Sequence, residues 1–245
     1  MEQSTGIPIL FCDDFLLVIN KPPGISTLPD GYDPSLPHIK SLLEQEYGRL
    51  WIVHRLDKET SGILLLARSS EAHRSLNSQF ENRLVRKIYH ALVRGVPEWH
   101  EKIIDLPLRP NGDRQHRTVV DFQAGKLAIT QFKRLEKFDH YCLLEAVPKT
   151  GRTHQIRAHL AAIGLFIIGD RLYRQRPGQR PENEDLPASP AQDKLADLMD
   201  GMALHAVSLD FNHPLTGERM SFEAPYPGGM FALLNYLRSE ISPGL

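Results

Sequence analysis

The chain has 245 residues and a mass of 27.8 kDa, with 41% apolar and 24% charged side chains, a composition that excludes a disordered tail or a fibre. At this mass folding buries about 70–75% of the open chain's surface, so a sizeable core forms without disulfides. Twenty-nine Lys and Arg against thirty Asp and Glu leave a net charge of -1, which argues against a general polycation for nucleic acid.

In chain order, residues 9–20 read as a strand, an Asp13-Asp14 turn and a second strand, halted by Lys21-Pro22-Pro23-Gly24. Cys12 in this stretch and Cys142 further on both lie in apolar runs, which predicts buried strand positions in a reducing compartment. The opening MEQSTG has no basic region, and apolar runs such as 15–19 are too short to cross a bilayer, so a cytoplasmic protein is expected. Residues 35–48 suit a short capped helix ending at Gly48. Trp51 to Val53 then enter a polar loop, HRLDKETSG, which the fully apolar strand 63–67 leaves. Ser69 or Ser70 caps a helix whose Ala72, Leu76, Phe80 and Leu84 form one apolar stripe. Strands are predicted at 87–93, 128–135 and 141–146. A helix capped by Thr153 follows, buried through Ile156, Leu160 and Ile163 and ended by Gly164.

After a short strand at 165–168, the segment 174–200 holds five prolines and glycines among mixed charges and reads as a surface excursion, with a short helix near 191–199. Two further strands, 202–211 and 219–222, flank the His213-Pro-Leu-Thr-Gly217 turn. Strands and helices intersperse without strict alternation, which predicts an α+β fold over a doubly wound sheet. Neither a repeat nor a linker divides the sequence, so a single domain over 1–245 is expected.

Charge is unevenly distributed. Residues 149–180 carry a net +6, residues 181–200 a net -5, and residues 68–94 a net +4. One such run is usually a solvated helix face, but two runs near other suggestive residues point to an anionic partner. The loop 54–62 places ionisable residues between apolar strands, where a rigid scaffold fixes a side chain for chemistry, and Asp57 is the candidate. A loop Asp more commonly caps its own turn, and the residues alone leave both roles open. No GxSxG elbow, HExxH or CxxC occurs, and His154 and His159 lie five apart on a helix, away from a shared face; neither a serine or cysteine nucleophile nor a metal is indicated. HRLD superficially matches a kinase loop but lacks the glycine-rich and DFG partners.

The ordered blocks VINKPPG, HRLDKETSGILLLAR, RKIYHALVRG, EAVPKTGRTHQIRAHL, GDRLY and LHAVSLDFNHPLTGE, spanning nearly the whole chain, resemble the RluA family of RNA pseudouridine synthases, here without the S4 domain frequent in that family. The resemblance implies a pseudouridine synthase fold, with a largely antiparallel central sheet, and an enzyme that detaches uracil from C1′ of a chosen uridine, rotates it and rejoins it through C5. No cofactor or metal is implied. Asp57 would be the catalytic carboxylate, attacking C1′, adding to the base or removing a sugar proton. Arg157 would pair with Asp57 and orient it, unless it only contacts phosphate or a surface acid. Tyr89 would stack on the uracil ring, unless it is simply a core strand residue. Arg55 would fill the gap left by the extruded nucleotide, or bind phosphate, and Leu204 would close the pocket behind Tyr89. Arg152, His154, Arg171 and Arg174 would meet phosphates of a structured stem-loop, ribosomal or transfer RNA, bound by a monomer. A catalytically silent RNA-binding module and a base-releasing N-glycosidase are the alternatives.

Overall fold

The computed structural model describes residues 6–29, 31, 33–173, 199 and 201–240. These fall into two compact units, one built from the chain up to Ile88 with His205–Pro227, the other from Tyr89–Leu204 with the chain from Gly228 onward. The architecture is α+β with mostly antiparallel strand pairing, as the lack of strict alternation predicts. No helix among the described residues is long and apolar enough to cross a membrane.

The first unit orders its strands β1 (Ile9–Cys12), β2 (Leu16–Lys21), β4 (Ser61–Ala67) and β12 (Leu204–Asn212), with β3 (Trp51–Ile52) beside β4 and β13 (Arg219–Glu223) beside β12. Only β4 with β12 is a parallel pair among these, in the register His205 to Ser61. All seven residues of β4 are buried, which is why its sequence is apolar without alternation. One β4 face, Ile63 and Leu65, packs with Leu16 and Val18 against Ala72 and Leu76 of helix α2 (Ser70–Glu81). Each of the valine, leucine and isoleucine side chains contributes about 1.5–3 kcal/mol of burial free energy. Ser69 Oγ caps α2 by accepting from the Ala72 amide at 3.1 Å, as predicted. Leu84 departs from the predicted stripe and is exposed, because α2 ends at Glu81 and the helical register no longer turns it inward. Helix α1 (Ile39–Tyr47) is shorter than predicted and begins at a His38–Ser41 capping box. Cys142 is buried, but Cys12 is exposed at the end of an edge strand; the apolar run around Cys12 faces inward elsewhere.

The second unit orders β5 (Arg86–Arg94), β10 (Tyr141–Pro148), β9 (Ile129–Lys137) and β6 (Glu101–Asp105), all antiparallel, with β11 (Phe166–Ile167) on β5. Strand β5 begins three residues before this unit does. A small hairpin joins β7 (Leu108–Arg109) and β8 (Val119–Val120). Leu108 and Val120 of this hairpin pack with Ala158 and Ala161 of helix α3 (Gln155–Ala162) and with Tyr173. The final helix, α4 (Gly228–Glu240), buries Met230, Leu233, Leu234 and Leu237. The predicted excursion at 174–200 lies outside the described residues except for Met199.

Candidate active site

In the first unit the chain on either side of Asp57 is tied down. Leu56 donates its amide to Thr27 Oγ1 at 3.3 Å, and its carbonyl accepts from the same hydroxyl at 3.0 Å. The Lys58 carbonyl accepts from the Gly24 amide at 2.9 Å and from Lys21 Nζ at 3.0 Å. Lys21 is fully buried and also donates to the Pro22 and Ile25 carbonyls, each at 2.8 Å. Three carbonyls thus match the three N–H groups of an ammonium. Burial pulls the Lys21 pKa down to about 7, against the Glu59 and Asp57 carboxylates, which favour the charged form. Between these anchors Asp57 accepts the Thr60 amide on its own carbonyl at 3.1 Å, with its side chain only partly buried. Arg55, two residues earlier, is exposed.

Both ends of the loop are held as well. At the entrance, His54 Nε2 accepts the Leu65 amide at 3.0 Å while the ring stacks on Phe80 at 4.9 Å. Burial, with help from the Lys87 ammonium, holds the His54 pKa down at about 3, in keeping with an Nε2 lone pair used as an acceptor. At the exit, His205 Nε2 donates to the Ala224 carbonyl at 3.1 Å, so its Nδ1 accepts from Ser61 Oγ at 2.9 Å. Gly62 lies at φ +109°, and a Cβ there would run into the Ala206 backbone of β12; only glycine permits this close parallel pairing.

In the second unit α3 starts at Gln155 rather than from a Thr153 cap. Its N-cap is His154, in the left-handed region at φ 51° with no side-chain cap bond. Gln155 does the anchoring: Oε1 accepts from Thr150 Oγ1 at 2.7 Å and from the Arg152 amide at 3.0 Å, and Nε2 donates to the Ile129 carbonyl at 3.0 Å. His159 adds buried bonds to Thr130 Oγ1 at 2.9 Å and the Leu106 carbonyl at 3.1 Å. This polar lattice holds the helix turn that carries Arg157.

Arg157 forms a two-pronged ion pair with Asp170, Nε to Oδ2 at 2.7 Å and Nη2 to Oδ1 at 2.9 Å. The pair is buried, with the side chains 8% and 1% exposed. Arg157 Cζ also stands 5.0 Å from the centre of the Tyr173 ring. His154 reaches the same tyrosine, Nδ1 to Oη at 3.2 Å, so the structure joins these two sequence candidates through Tyr173. Tyr89 is partly buried on β5 opposite Ala146, and Leu204 is buried where β12 begins. Arg171 is exposed, and exposed Arg152 donates Nε to the Leu127 carbonyl at 3.1 Å. Arg174 lies outside the described residues. Among the described residues no group of three or more His, Cys, Asp or Glu is placed to hold a metal ion.

Lys21 and Asp170 are the participants that sequence reasoning missed. Lys21 stands in the quoted VINKPPG block, where it reads only as part of a strand stop, and Asp170 stands in GDRLY as the lone acid of a basic run. A charged residue closing an apolar strand, and a single acid among arginines, are the signals each offered.

The RNA pseudouridylate synthase family profile matches residues 15–162. A ribosomal large subunit pseudouridine synthase C of Yersinia pestis is 41% identical, covering 95% of this chain and 69% of its own. A ribosomal large subunit pseudouridine synthase D of Pseudomonas aeruginosa is 36% identical over 98% of this chain and 74% of its own. Among solved structures, human RNA pseudouridylate synthase domain containing 4 superposes with a TM-score of 0.74 at 26% identity, covering 94% of this chain and 93% of its own. With the profile matching well over half of the sequence and identities of this size across nearly all of it, the chain belongs to the RNA pseudouridylate synthase family, enzymes that isomerise uridine to pseudouridine in RNA.

Proposed function

We propose that Asp57 is the carboxylate on which the isomerisation depends, and that the target is a uridine extruded from a stem-loop of large-subunit ribosomal RNA. The observation that carries the first part is the bracing of Leu56 and Lys58, which presents one partly exposed carboxylate on a stretch of backbone hydrogen-bonded on both sides. The second part is supported by the names of the relatives and by the local basic runs. The N1–C1′ bond breaks, the C5–C1′ bond forms, the C5 proton leaves to solvent and N1 takes one up. Arg157 orients the carboxylate, Tyr89 stacks on the detached uracil, Arg55 occupies the gap left by the flipped base, and Leu204 closes the pocket. Arg152, Arg171 and Arg174 neutralise phosphates around a monomeric enzyme.

The test is incubation of the purified protein with transcribed large-subunit ribosomal RNA, followed by carbodiimide mapping and nucleoside mass spectrometry. One or a few carbodiimide-reactive uridines of unchanged mass are expected. Loss of uracil would indicate a glycosidase, and RNA that binds without changing would indicate a silent module; either result contradicts the reading.

A further inference from the structure

The carboxylate that holds Arg157 has a second task. Asp170 Oδ1 also accepts the amides of Leu172 at 2.9 Å and Tyr173 at 3.0 Å, so one side chain both forks the guanidinium and shapes the turn that carries Tyr173. The Tyr173 hydroxyl accepts the Thr118 amide at 2.8 Å and donates to the Thr118 carbonyl at 3.0 Å. With the hydroxyl proton committed to that carbonyl, His154 Nδ1 acts as a donor to the same oxygen. Thr118 lies immediately before β8, so the Tyr173 phenol hydrogen-bonds the backbone of the β7–β8 hairpin to the turn built on Asp170, beside the apolar packing of Leu108 and Val120 on Tyr173.

The hairpin is equipped to meet an anion. Its acid Asp113 pairs with Arg117 at 2.6 Å and the neighbouring Asp121 pairs with Arg109 at 2.6 Å, which leaves Arg114 exposed at the tip beside exposed Gln115 and His116. Asn111 and His116 hold left-handed backbone conformations, φ 52° and 55°, giving the tip a defined shape. The fastening uses only the Thr118 backbone groups, both of which are satisfied by the Tyr173 hydroxyl.

We propose that Asp170 and Tyr173 are positioning residues that link RNA engagement by the 108–120 hairpin to the setting of the Arg157 guanidinium. Hairpin, Tyr173, carboxylate and guanidinium form one chain of hydrogen bonds, which enters Tyr173 at its phenol and leaves at its backbone amide. RNA drawn onto the tip biases the placement of Thr118, and Tyr173 and Asp170 carry that bias to Arg157. The inference rests on the role given to Arg157 under the proposed function, and its test separates the two.

The experiment measures tritium release from transcribed large-subunit ribosomal RNA labelled with [5-³H]uridine, giving kcat and KM for Tyr173→Phe, Asp170→Asn, Arg157→Ala and the double variant Asp170→Asn/Arg157→Ala. Tyr173→Phe keeps the ring against Arg157 and removes only the fastening; a KM raised about tenfold with kcat within twofold is expected. Asp170→Asn keeps an acceptor for the turn amides and removes the charged fork; a kcat lowered about tenfold with KM within threefold is expected. In the Arg157→Ala background Asp170→Asn should cause no further loss, a non-additivity that a general packing defect does not produce. Unchanged parameters in either single variant, a parallel loss of kcat, KM and melting temperature in both, or additive losses in the double variant would overturn the link. Wild-type kcat in Arg157→Ala would instead overturn the role of the arginine itself.

Discussion

Buried polar residues, more than the apolar core, define how this enzyme presents its chemistry. Buried Lys21, Gln155, His159 and Asp170, with half-buried His54, spend hydrogen-bonding groups on backbone or on the neighbouring side chains of Thr150, Thr130 and Arg157, and an unmade bond at a buried site costs about 1–3 kcal/mol. Their roles were hidden in the sequence because a histidine in a loop or a lysine at a strand end reads as solvated until its partners are known. Asp57, Tyr89 and Arg157 stand out as candidates only through the blocks around them; Asp57 by itself looks like any turn aspartate. His54 gives a prediction at this scale. Its pKa falls from 6.5 to about 3 on folding, so below pH 6.5 the unfolded chain takes up a proton that the native chain refuses. The stability His54 contributes is complete above pH 6.5 and is lost as the pH falls toward 3, with a slope of about 1.4 kcal/mol per pH unit for one proton. Urea denaturation between pH 4.5 and 7 should show that slope reduced by about this amount in His54→Gln, which keeps an acceptor for the Leu65 amide but does not titrate. Equal slopes for the two proteins would contradict a His54 that stays neutral in the folded chain.

Among the elements, those with strong periodicity or an unbroken apolar run are readable: α2 with its serine cap, the wholly buried β4, the separate strands β9 and β10, and the β12–β13 pair. The short strands β6, β7 and β8 and the helix α4 are not. Strand β6 has a single buried residue, Ile104, so its alternation is faint, and the two-residue strands of the hairpin are too short to show any periodicity of their own and pack on α3 and Tyr173. Helix α3 was readable in position but not in its start, because Gln155, inside the helix, replaces the serine or threonine cap that sequence rules seek. The β4–β12 pair makes the prediction for this scale. Gly62→Ala places a Cβ against the Ala206 backbone at a left-handed φ, where backbone strain alone costs about 1–3 kcal/mol and separation of the strands adds to it. Gly217→Ala, also at positive φ but with open space around it, serves as the comparison and should lose only about 1 kcal/mol. Thermal melts giving equal losses would show that strand proximity is not what requires Gly62.

For the molecule as a whole, a net charge of -1 hides two basic runs and an acidic one, so composition alone points away from nucleic acid while distribution points toward it. The α+β class followed from the order of the elements; the reaction did not, since folds of this class host many activities, and it entered through ordered motifs and relatives. What the structure adds is a division of labour, with one unit bracing Asp57 from both sides and the other holding Arg157 in a buried fork. In the proposed reaction the Asp57 carboxylate is indispensable to turnover and dispensable for RNA binding. Its most direct test is Asp57→Asn, assayed by tritium release from [5-³H]uridine-labelled large-subunit ribosomal RNA beside a filter-binding titration of the same RNA. A loss of kcat of at least about 10³-fold, corresponding to about 4 kcal/mol, with RNA affinity within threefold of wild type, is predicted. Turnover within tenfold of wild type would contradict the assignment of Asp57.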